Sequence, residues 1–259
     1  MRRALALLAI STAAALAQGS LTAPRIGCYR DRAGALRPLY GTAGSFIPGA
    51  PAETGVVAAA CWEGVALIKT DAALEWRDAE LQLIAKWPAP PGSALFALEP
   101  RGRAAFVYFA TTGEILRFAP GRAPRALPDP QALAPAKVLA MASPGPGQIS
   151  ILANSDAGAV LETWSIEDGL LAWEGEGSGV AGPAALQAEG ALLRADETAL
   201  VLARRDGTQR RIELPARAVA IEPGGVEWLI ITLEDGSTPL ALRLRPDGEE
   251  LFRIPEAEP

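Results

Sequence analysis

The sequence contains no histidine, and this absence removes several classes of active site. Ser-His-Asp and Cys-His nucleophile systems need an imidazole, most zinc sites use one, and histidine is the commonest general base near neutral pH. The glycine-rich stretches do not supply a phosphate-binding loop, because none opens a helix directly after a strand or carries a following lysine. We therefore predict no catalytic, cofactor-binding or metal-binding residues, and no cofactor.

A pair of carboxylates is the remaining route to catalysis, since glycoside hydrolysis needs only two Asp or Glu side chains. Most acidic residues here sit in turn-like settings such as Glu167-Asp168-Gly169, where turn geometry alone explains an acidic residue before glycine. The candidates for such a pair are Glu75, Asp78, Glu80, Glu99, Glu167, Asp168, Glu222 and Glu227. A carboxylate-based glycoside hydrolase is therefore kept as an alternative to a non-catalytic protein.

Long apolar stretches are absent after the first twenty residues, so no transmembrane segment is predicted in the mature chain. The beginning of the chain has the pattern of a signal peptide: Arg2 and Arg3, then an apolar run, then a small-x-small site at residues 15–17. We expect cleavage near Ala17, export by the general secretory route, and a secreted or periplasmic product that begins near Gln18.

Basic residues are outnumbered, with 24 Lys and Arg against 30 Asp and Glu and a net charge of −6. Removal of the signal peptide takes away two arginines and leaves −8. An acidic protein gains nothing from counterion release on nucleic acid, so nucleic acid is excluded as a partner. The expected partner is an unknown protein or a glycan, bound by a monomer.

Cysteine is scarce as well: Cys28 and Cys61 are the two in the chain. In an oxidising compartment an even number permits a disulfide. Two buried, unpaired thiols are the other interpretation, because sequence does not supply the distance between the Cα atoms. A Cys28–Cys61 bond would close a loop of about 30 residues and tie the start of the mature chain to the next repeat.

Short apolar runs bounded by Gly, Pro and Asp-Gly turns fill the rest of the chain, as expected for many short strands. Turns between the last two strands of successive units are predicted near Gly34, Asp78, Gly121, Asp168, Asp206 and Asp247, 38 to 47 residues apart. This period predicts an all-β propeller of five or six blades, each an antiparallel four-stranded sheet, in one domain over residues 18–259. A β-sandwich is the alternative. Small residues in the first strands (VVAAA, VLAMA, AALQA, AVAIE) suit the crowded inner end of a blade.

The stretch from Ile26 to Ile47 is predicted to be a two-stranded hairpin. It is either half of an incomplete blade or a strap that closes the ring against the C-terminal LFRIP strand. Its arginines Arg30, Arg32 and Arg37 could bind a carboxylated ligand. Because Arg30 and Arg32 alternate with Tyr29 and Asp31, a solvated face is the preferred interpretation.

Two further patterns have structural explanations. The segment Asn154 to Gly158, with Glu162, matches a calcium loop only in part, since it lacks the third acidic ligand and the spacing to a bidentate glutamate. A turn between strands is predicted there. The tryptophans could form a sugar-stacking platform, but packing between sheets is the preferred role, with Trp62 the most exposed. They are Trp62, Trp76, Trp87, Trp164, Trp173 and Trp228.

The opening stretch also resembles a known group of proteins. Arg37-Pro38, Gly41 and Gly44 match an RP-x-x-G-x-x-G pattern. In this the chain resembles the first segment of uncharacterised secreted bacterial β-propellers, similar in style to YVTN and NHL repeat proteins. The resemblance implies the fold and export, and no activity. The leading hypothesis is a secreted, non-catalytic binding or scaffold module; a structural part of a cell-envelope assembly is a further alternative.

Overall fold

The computed structural model describes residues 23–62, 64–127, 137–155, 158–176, 180 and 182–256. The predicted signal peptide therefore lies outside the described residues. In these ranges the chain forms six antiparallel sheets, one of three strands and five of four. Each sheet is built from strands that follow one another in sequence, apart from a short 3₁₀ turn at Pro100–Gly102 in the third.

The strands have the following bounds. The first sheet holds β1 (Arg25–Arg30), β2 (Leu36–Thr42) and β3 (Ser45–Pro48), and the second holds β4 (Val56–Trp62), β5 (Val65–Thr70), β6 (Ala73–Asp78) and β7 (Leu83–Pro88). The third holds β8 (Ala94–Leu98), β9 (Ala105–Phe109), β10 (Ile115–Phe118) and β11 (Arg125–Ala126). The fourth holds β12 (Lys137–Ala142), β13 (Gln148–Ser155), β14 (Gly158–Ser165) and β15 (Gly169–Glu176). The fifth holds β16 (Ala184–Leu186), β17 (Leu192–Asp196), β18 (Ala199–Ala203) and β19 (Gln209–Glu213), and the sixth holds β20 (Ala218–Pro223), β21 (Trp228–Leu233), β22 (Leu240–Arg245) and β23 (Gly248–Arg253).

The sheets are arranged as the blades of a six-bladed propeller, which confirms the predicted class. The first strands of the four-stranded sheets form the inner ring: each of β4, β8, β12, β16 and β20 has Cα atoms within 8 Å of the next, and β20 returns to β4. The predicted repeat units coincide with these five sheets. The β-sandwich alternative is wrong, because the ~40-residue period reflects stacked blades that each cover a neighbour's face.

The core lies between the blades rather than in one central mass. Between the second and third sheets, Trp76, Phe96, Phe109 and Phe118 are buried together. Phe109 and Phe118 meet edge to face, with ring centroids 6.1 Å apart. The inner strands carry small residues instead, such as the buried Ala58, Ala60, Ala140 and Ala142. Their place at the inner end of the blades matches the pattern expected from the sequence.

The first sheet differs from the prediction in two ways. It has three strands and not two, since β3 adds to the hairpin beyond β2. Its first strand, β1, also runs antiparallel to the inner strands of the other sheets instead of parallel to them. Cys28 is joined to Cys61 and Gly34 O accepts from Val56 N, so β1 is antiparallel to β4. Within the described residues this sheet therefore lacks an innermost strand, and β1 has the direction of a second strand.

This direction also explains the one misaligned turn. The turns near Asp78, Gly121, Asp168, Asp206 and Asp247 join the third and fourth strands of their sheets, as predicted. The turn at Gly34 instead joins β1 to β2, at the opposite end of the ring.

The first sheet joins the ring through contacts that β1 makes on both sides. Towards the sixth sheet, Cys28 N donates to Gly224 O at 3.0 Å. The backbones come so close that a Cβ on Gly27 would lie 1.6 Å from Gly224 O, and one on Gly225 would lie 2.6 Å from Ile26 O. Towards the second sheet, Cys28 and Cys61 form a disulfide, with Cα atoms 5.8 Å apart. The disulfide interpretation of the two cysteines therefore holds.

Apolar packing completes the joint between the first and sixth sheets. The cluster consists of Tyr29, Leu39, Phe46, Trp228, Ile230, Ala241 and Ile254. Phe252, in the LFRIP strand, packs edge to face on Phe46 with ring centroids 5.7 Å apart. The first sheet thus meets the C-terminal strand that the strap hypothesis named. The contact is made through side chains, because β23 pairs with β22.

The RP-x-x-G-x-x-G pattern has a local role in this sheet. Arg37 donates to Asp31 Oδ2 at 2.7 Å and to Gly49 O at 3.1 Å. Gly44 lies in the tight turn between β2 and β3, with a φ of 80° that favours glycine. Gly41, near the end of β2, has a φ of 113°, and a Cβ there would lie 2.0 Å from Ser45 O. The pattern therefore fixes the shape of the first sheet.

Removing the disulfide should lower the free energy of unfolding. Cys28 and Cys61 are 33 residues apart, and chain-entropy reasoning gives about 3–4 kcal/mol for a loop of this length. We expect a Cys28→Ser, Cys61→Ser double variant to lose stability of this order in urea unfolding. Reductant should destabilise the wild type and leave the double variant unchanged; equal stability of the two oxidised proteins would contradict the assignment.

Gly27→Ala should weaken ring closure, because its Cβ cannot coexist with Gly224 O. We expect a loss of at least about 1–3 kcal/mol in urea unfolding, the cost of a broken buried backbone hydrogen bond. Gly248→Ala is the matched control, since a Cβ there meets no atom within 4 Å. It should stay within about 1 kcal/mol of the wild type. Equal unfolding midpoints for the two variants would overturn the close approach.

Candidate functional site

The inner strands enclose an axial channel of about 610 Å³. Its mouth lies where β8, β12, β16 and β20 begin, and its walls are mainly aliphatic, with Val57, Leu95, Leu139, Ala140 and Ala220 among the lining residues. This volume is typical of small-molecule sites, which are largely apolar with a few polar groups. The channel is therefore a candidate binding site.

Arg30 and Glu222 place a cation and a carboxyl in this wall. Their side chains are 30% and 20% exposed, and Arg30 Nη2 lies 3.5 Å from Glu222 Oε1. Arg30 reaches the channel because the first sheet lacks an innermost strand to cover it. A guanidinium has five N–H donors, yet this single long contact is all that Arg30 and Glu222 make with described side chains. Both groups therefore have bonding capacity left for a ligand.

The channel also changes the acidity of Glu222. Burial raises the pKa of this carboxyl above its ordinary value, and Arg30 opposes the shift only in part. One fifth of the side chain is exposed, and protein covers the rest. The neutral form is therefore favoured more than in solution, and a protonated carboxyl can donate a hydrogen bond as well as accept one.

Two hydrogen bonds between the Asn154 side chain and the backbone of Val180 hold the mouth of the channel. Asn154 Nδ2 donates to Val180 O at 2.7 Å, and Val180 N donates to Asn154 Oδ1 at 3.1 Å. Nearby, Lys137 is exposed and Val219 is 50% exposed. Asn154 thus positions the chain that enters β16, which accounts for it without a calcium ion. Glu162, the other member of the partial calcium pattern, accepts from Trp164 Nε1 at 2.8 Å.

Two of the predicted carboxylates are buried ion-pair partners away from the axis. Glu75 is 4% exposed and accepts from Arg77 at 2.6 Å and from Lys86 at 2.8 Å. Burial acts to raise its pKa, but these cations outweigh burial and hold the pKa below its usual value. Glu99 is 3% exposed and accepts from Arg117 and from Gly147 N. Both residues fasten neighbouring strands.

The other acidic candidates behave as the turn interpretation predicts or pair on the surface. Asp78 Oδ1 accepts from Glu80 N and Gln82 N, so it caps the turn between β6 and β7. Asp168 accepts from Ser165 in the turn after β14. Glu227 pairs with Arg243 at 2.9 Å. Glu167 and Glu80 are exposed.

Glu222 is the one carboxylate among the channel residues that the structure describes. A glycosidase needs two carboxyl groups roughly 5–10 Å apart across the bond that is cleaved. The described part of the channel does not bring such a pair together. Among all the residues that the structure describes, no group of three or more Cys, Asp or Glu side chains is placed to hold a metal ion.

The arginines of the first sheet separate into different roles. Arg37 is structural, and Arg32 is exposed in the turn that follows β1. The solvated-face interpretation is wrong for Arg30, which faces the channel. It failed because neither face of β1 meets solvent: Cys28 packs on the second sheet and Tyr29 packs on the sixth.

The tryptophans mostly pack between sheets, as predicted. Trp76, Trp164 and Trp228 are buried, and Trp87 packs edge to face on Phe118 with centroids 5.2 Å apart. Trp62 is partly exposed beside a second cavity at the other end of the ring. The side chain of Trp173 lies outside the described residues.

Comparison with known proteins supports the fold and leaves the function open. No family model and no curated protein matches the sequence. A chain of the nidogen–laminin complex is similar, with a TM-score of 0.56 and 15% identity over 90% of this chain and 92% of that one. Streptogramin B lyase is similar with a TM-score of 0.50 and 11% identity over 92% and 85%. At these identities the likeness shows the β-propeller fold alone, and membership of a named repeat family stays a prediction.

Arg30 and Glu222 were both candidates from the sequence, but their pairing was not visible there, although one signal existed. Glu222 ends AVAIE, a strand otherwise made of the small and aliphatic residues that mark the inner end of a blade. A charged residue in such a strand has to face the axis or find a partner. Its partner is about 190 residues away, and only the closed ring brings the two together.

The raised pKa of Glu222 predicts a specific pH dependence. The folded protein binds more protons than the unfolded chain between the ordinary value of 4.5 and the raised pKa, so stability falls as pH rises through this window. Relative to Glu222→Gln, the wild type should therefore gain stability as pH is lowered from about 8 to about 4. Urea unfolding of both proteins across this range isolates Glu222, since the other carboxyls are common to both. A difference that stays constant with pH would contradict the shift.

Proposed function

We propose that the protein acts outside the cytoplasm as a non-catalytic β-propeller that binds a partner through its axial channel. The observation that carries this proposal is the incompletely bonded Arg30–Glu222 pair in an aliphatic wall. An adjacent cation and carboxyl complement a neutral group that both accepts and donates, such as an amide or a hydroxyl. The aliphatic walls complement an apolar side chain. A short protein segment combines both features, so we favour a protein partner.

A secreted or periplasmic location is part of the same proposal. The Cys28–Cys61 disulfide supports it, because such bonds persist in oxidising compartments. No helix of the described residues is long and apolar enough to cross a membrane. N-terminal sequencing of the exported protein should begin near Gln18, and a product that retains Met1 would contradict cleavage.

Acetyl-leucine amide is a suitable probe, since it carries an aliphatic side chain between two neutral amides. We expect it to shift amide resonances of β12 and β20 in nuclear magnetic resonance titrations at millimolar concentration. Val219→Trp should abolish these shifts, because Val219 is half exposed at the mouth and a larger side chain there fills the entrance. Arg30→Gln should weaken binding about tenfold, the loss expected for one charge-assisted hydrogen bond.

Arg122→Gln is the matched control, because Arg122 is an exposed arginine that lies outside the channel. It should bind the probe like the wild type. Absence of any shift in the wild type, or equal binding by Val219→Trp, would overturn the channel as the site. Turnover of a chromogenic glycoside that is lost in Glu222→Gln would overturn the non-catalytic assignment.

A further inference from the structure

A second cavity, of about 630 Å³, lies where the sixth, first and second sheets meet. We call it the seam pocket and define it by Arg25, Trp62, Val65, Val226, Trp228 and Arg243. It is lined by the end of β4 and by the turn after β20, whereas the channel mouth is lined by the beginnings of inner strands. Because the inner strands run parallel, the two cavities open at opposite ends of the ring.

Arg25 is the cation of this pocket that makes no ion pair with a described residue. Its Nε donates to Gly27 O at 3.3 Å, and no carboxylate of the described residues reaches it within the 4.0 Å of an ion pair. Burial lowers the pKa of its guanidinium, while Tyr40, Glu80 and Asp78 oppose that shift from a greater distance. The Asp78 carboxylate is occupied by its own turn, where it accepts from Glu80 N and Gln82 N. The terminal nitrogens of Arg25 can therefore bind an anion.

Arg243, in contrast, is fully engaged and acts as part of the wall. Its guanidinium pairs with Glu227 at 2.9 Å and lies over the Trp228 ring, 5.3 Å from the centroid. Trp228 is itself fixed edge to face by Phe46, with centroids 5.4 Å apart. This side of the pocket is rigid, since each group is held by another. A rigid wall reduces the ordering cost of binding.

The remaining walls are apolar and accessible. Val226 is 49% exposed, and Trp62 and Val65 are partly exposed beside it. An exposed indole offers a stacking surface for a flat ring. The pocket thus sets one unpaired guanidinium beside aromatic and aliphatic surface.

We infer that the seam pocket is a second binding site, which takes a small aromatic carboxylate. The carboxylate would pair with the terminal nitrogens of Arg25, where guanidinium and carboxylate geometries match bidentately. The ring would lie against Trp62 and Val226. A pocket of this volume accommodates a bicyclic molecule, in line with the ~300–1,000 Å³ typical of small-ligand sites.

Binding of 2-naphthoate, with 2-naphthamide as the uncharged control, tests the inference. In nuclear magnetic resonance titrations of the wild-type protein, 2-naphthoate should shift the indole N–H resonances of Trp62 and Trp228, which single Trp→Phe variants assign. The amide should bind about tenfold more weakly, because it lacks the charge that Arg25 recognises. Failure of 2-naphthoate to bind at millimolar concentration would overturn the site.

Variants separate this site from the channel. Arg25→Gln should bind 2-naphthoate about as weakly as the wild type binds the amide, whereas Arg25→Lys should be intermediate because it keeps the charge without the bidentate geometry. Arg122→Gln and Val219→Trp should both bind 2-naphthoate like the wild type. Thermal melts check that Arg25→Gln is folded. If it is not folded, the intermediate affinity expected for Arg25→Lys tests the contact with the carboxylate instead. Equal loss in Arg122→Gln, or loss in Val219→Trp, would overturn the assignment to the seam pocket.

Discussion

The structure depends on how β1 closes the ring. Four consecutive residues of this strand make contacts of five different kinds. Gly27 allows the backbone of the sixth sheet to approach, and Cys28 bonds covalently to the second sheet while its N–H donates to Gly224. Tyr29 enters the apolar cluster with the sixth sheet, and Arg30 pairs with Glu222. A propeller whose sheets are each local in sequence still needs one non-local joint. Here β1 contributes to it on both sides, together with the return of β20 to β4 and the packing of Phe46 on Phe252.

The same strand creates both candidate sites, because of the direction in which it runs. A conventional inner strand in the first sheet would continue the small-residue lining and shield whatever lies behind it. Since β1 instead has the direction of a second strand, its C-terminal residue Arg30 is uncovered at the axis. Its N-terminal residue Arg25 reaches the opposite end, at the seam. An incomplete blade usually leaves an exposed sheet edge, which is an aggregation risk. Here its main consequence is that Arg30 and Arg25 each line a cavity.

The features that could be predicted from the sequence are those encoded within one repeat. The features that depend on contacts between distant residues could not be predicted. The five complete blades were predicted because turn residues such as Asp206-Gly207 and small inner strands are encoded within each repeat. The first sheet was mispredicted, since its β3 is only four residues long and its orientation is set by partners near residues 61 and 224. The candidate site was missed for the same reason. Glu222 was among the acidic candidates, but nothing local shows that Arg30 lies opposite.

The contacts that close the ring contribute different free energies to folding. A contact that contributes little to folding is the one that can take part in binding. A disulfide across 33 residues contributes about 3–4 kcal/mol, and the buried backbone hydrogen bond from Cys28 adds to it. A partly exposed ion pair with one 3.5 Å contact contributes about 0–1 kcal/mol. Closure therefore does not depend on Arg30 and Glu222, and the rise in the pKa of Glu222 shows that Arg30 does not fully compensate for its burial. A pair that adds so little to folding and remains incompletely bonded is consistent with the recognition role that we propose for it.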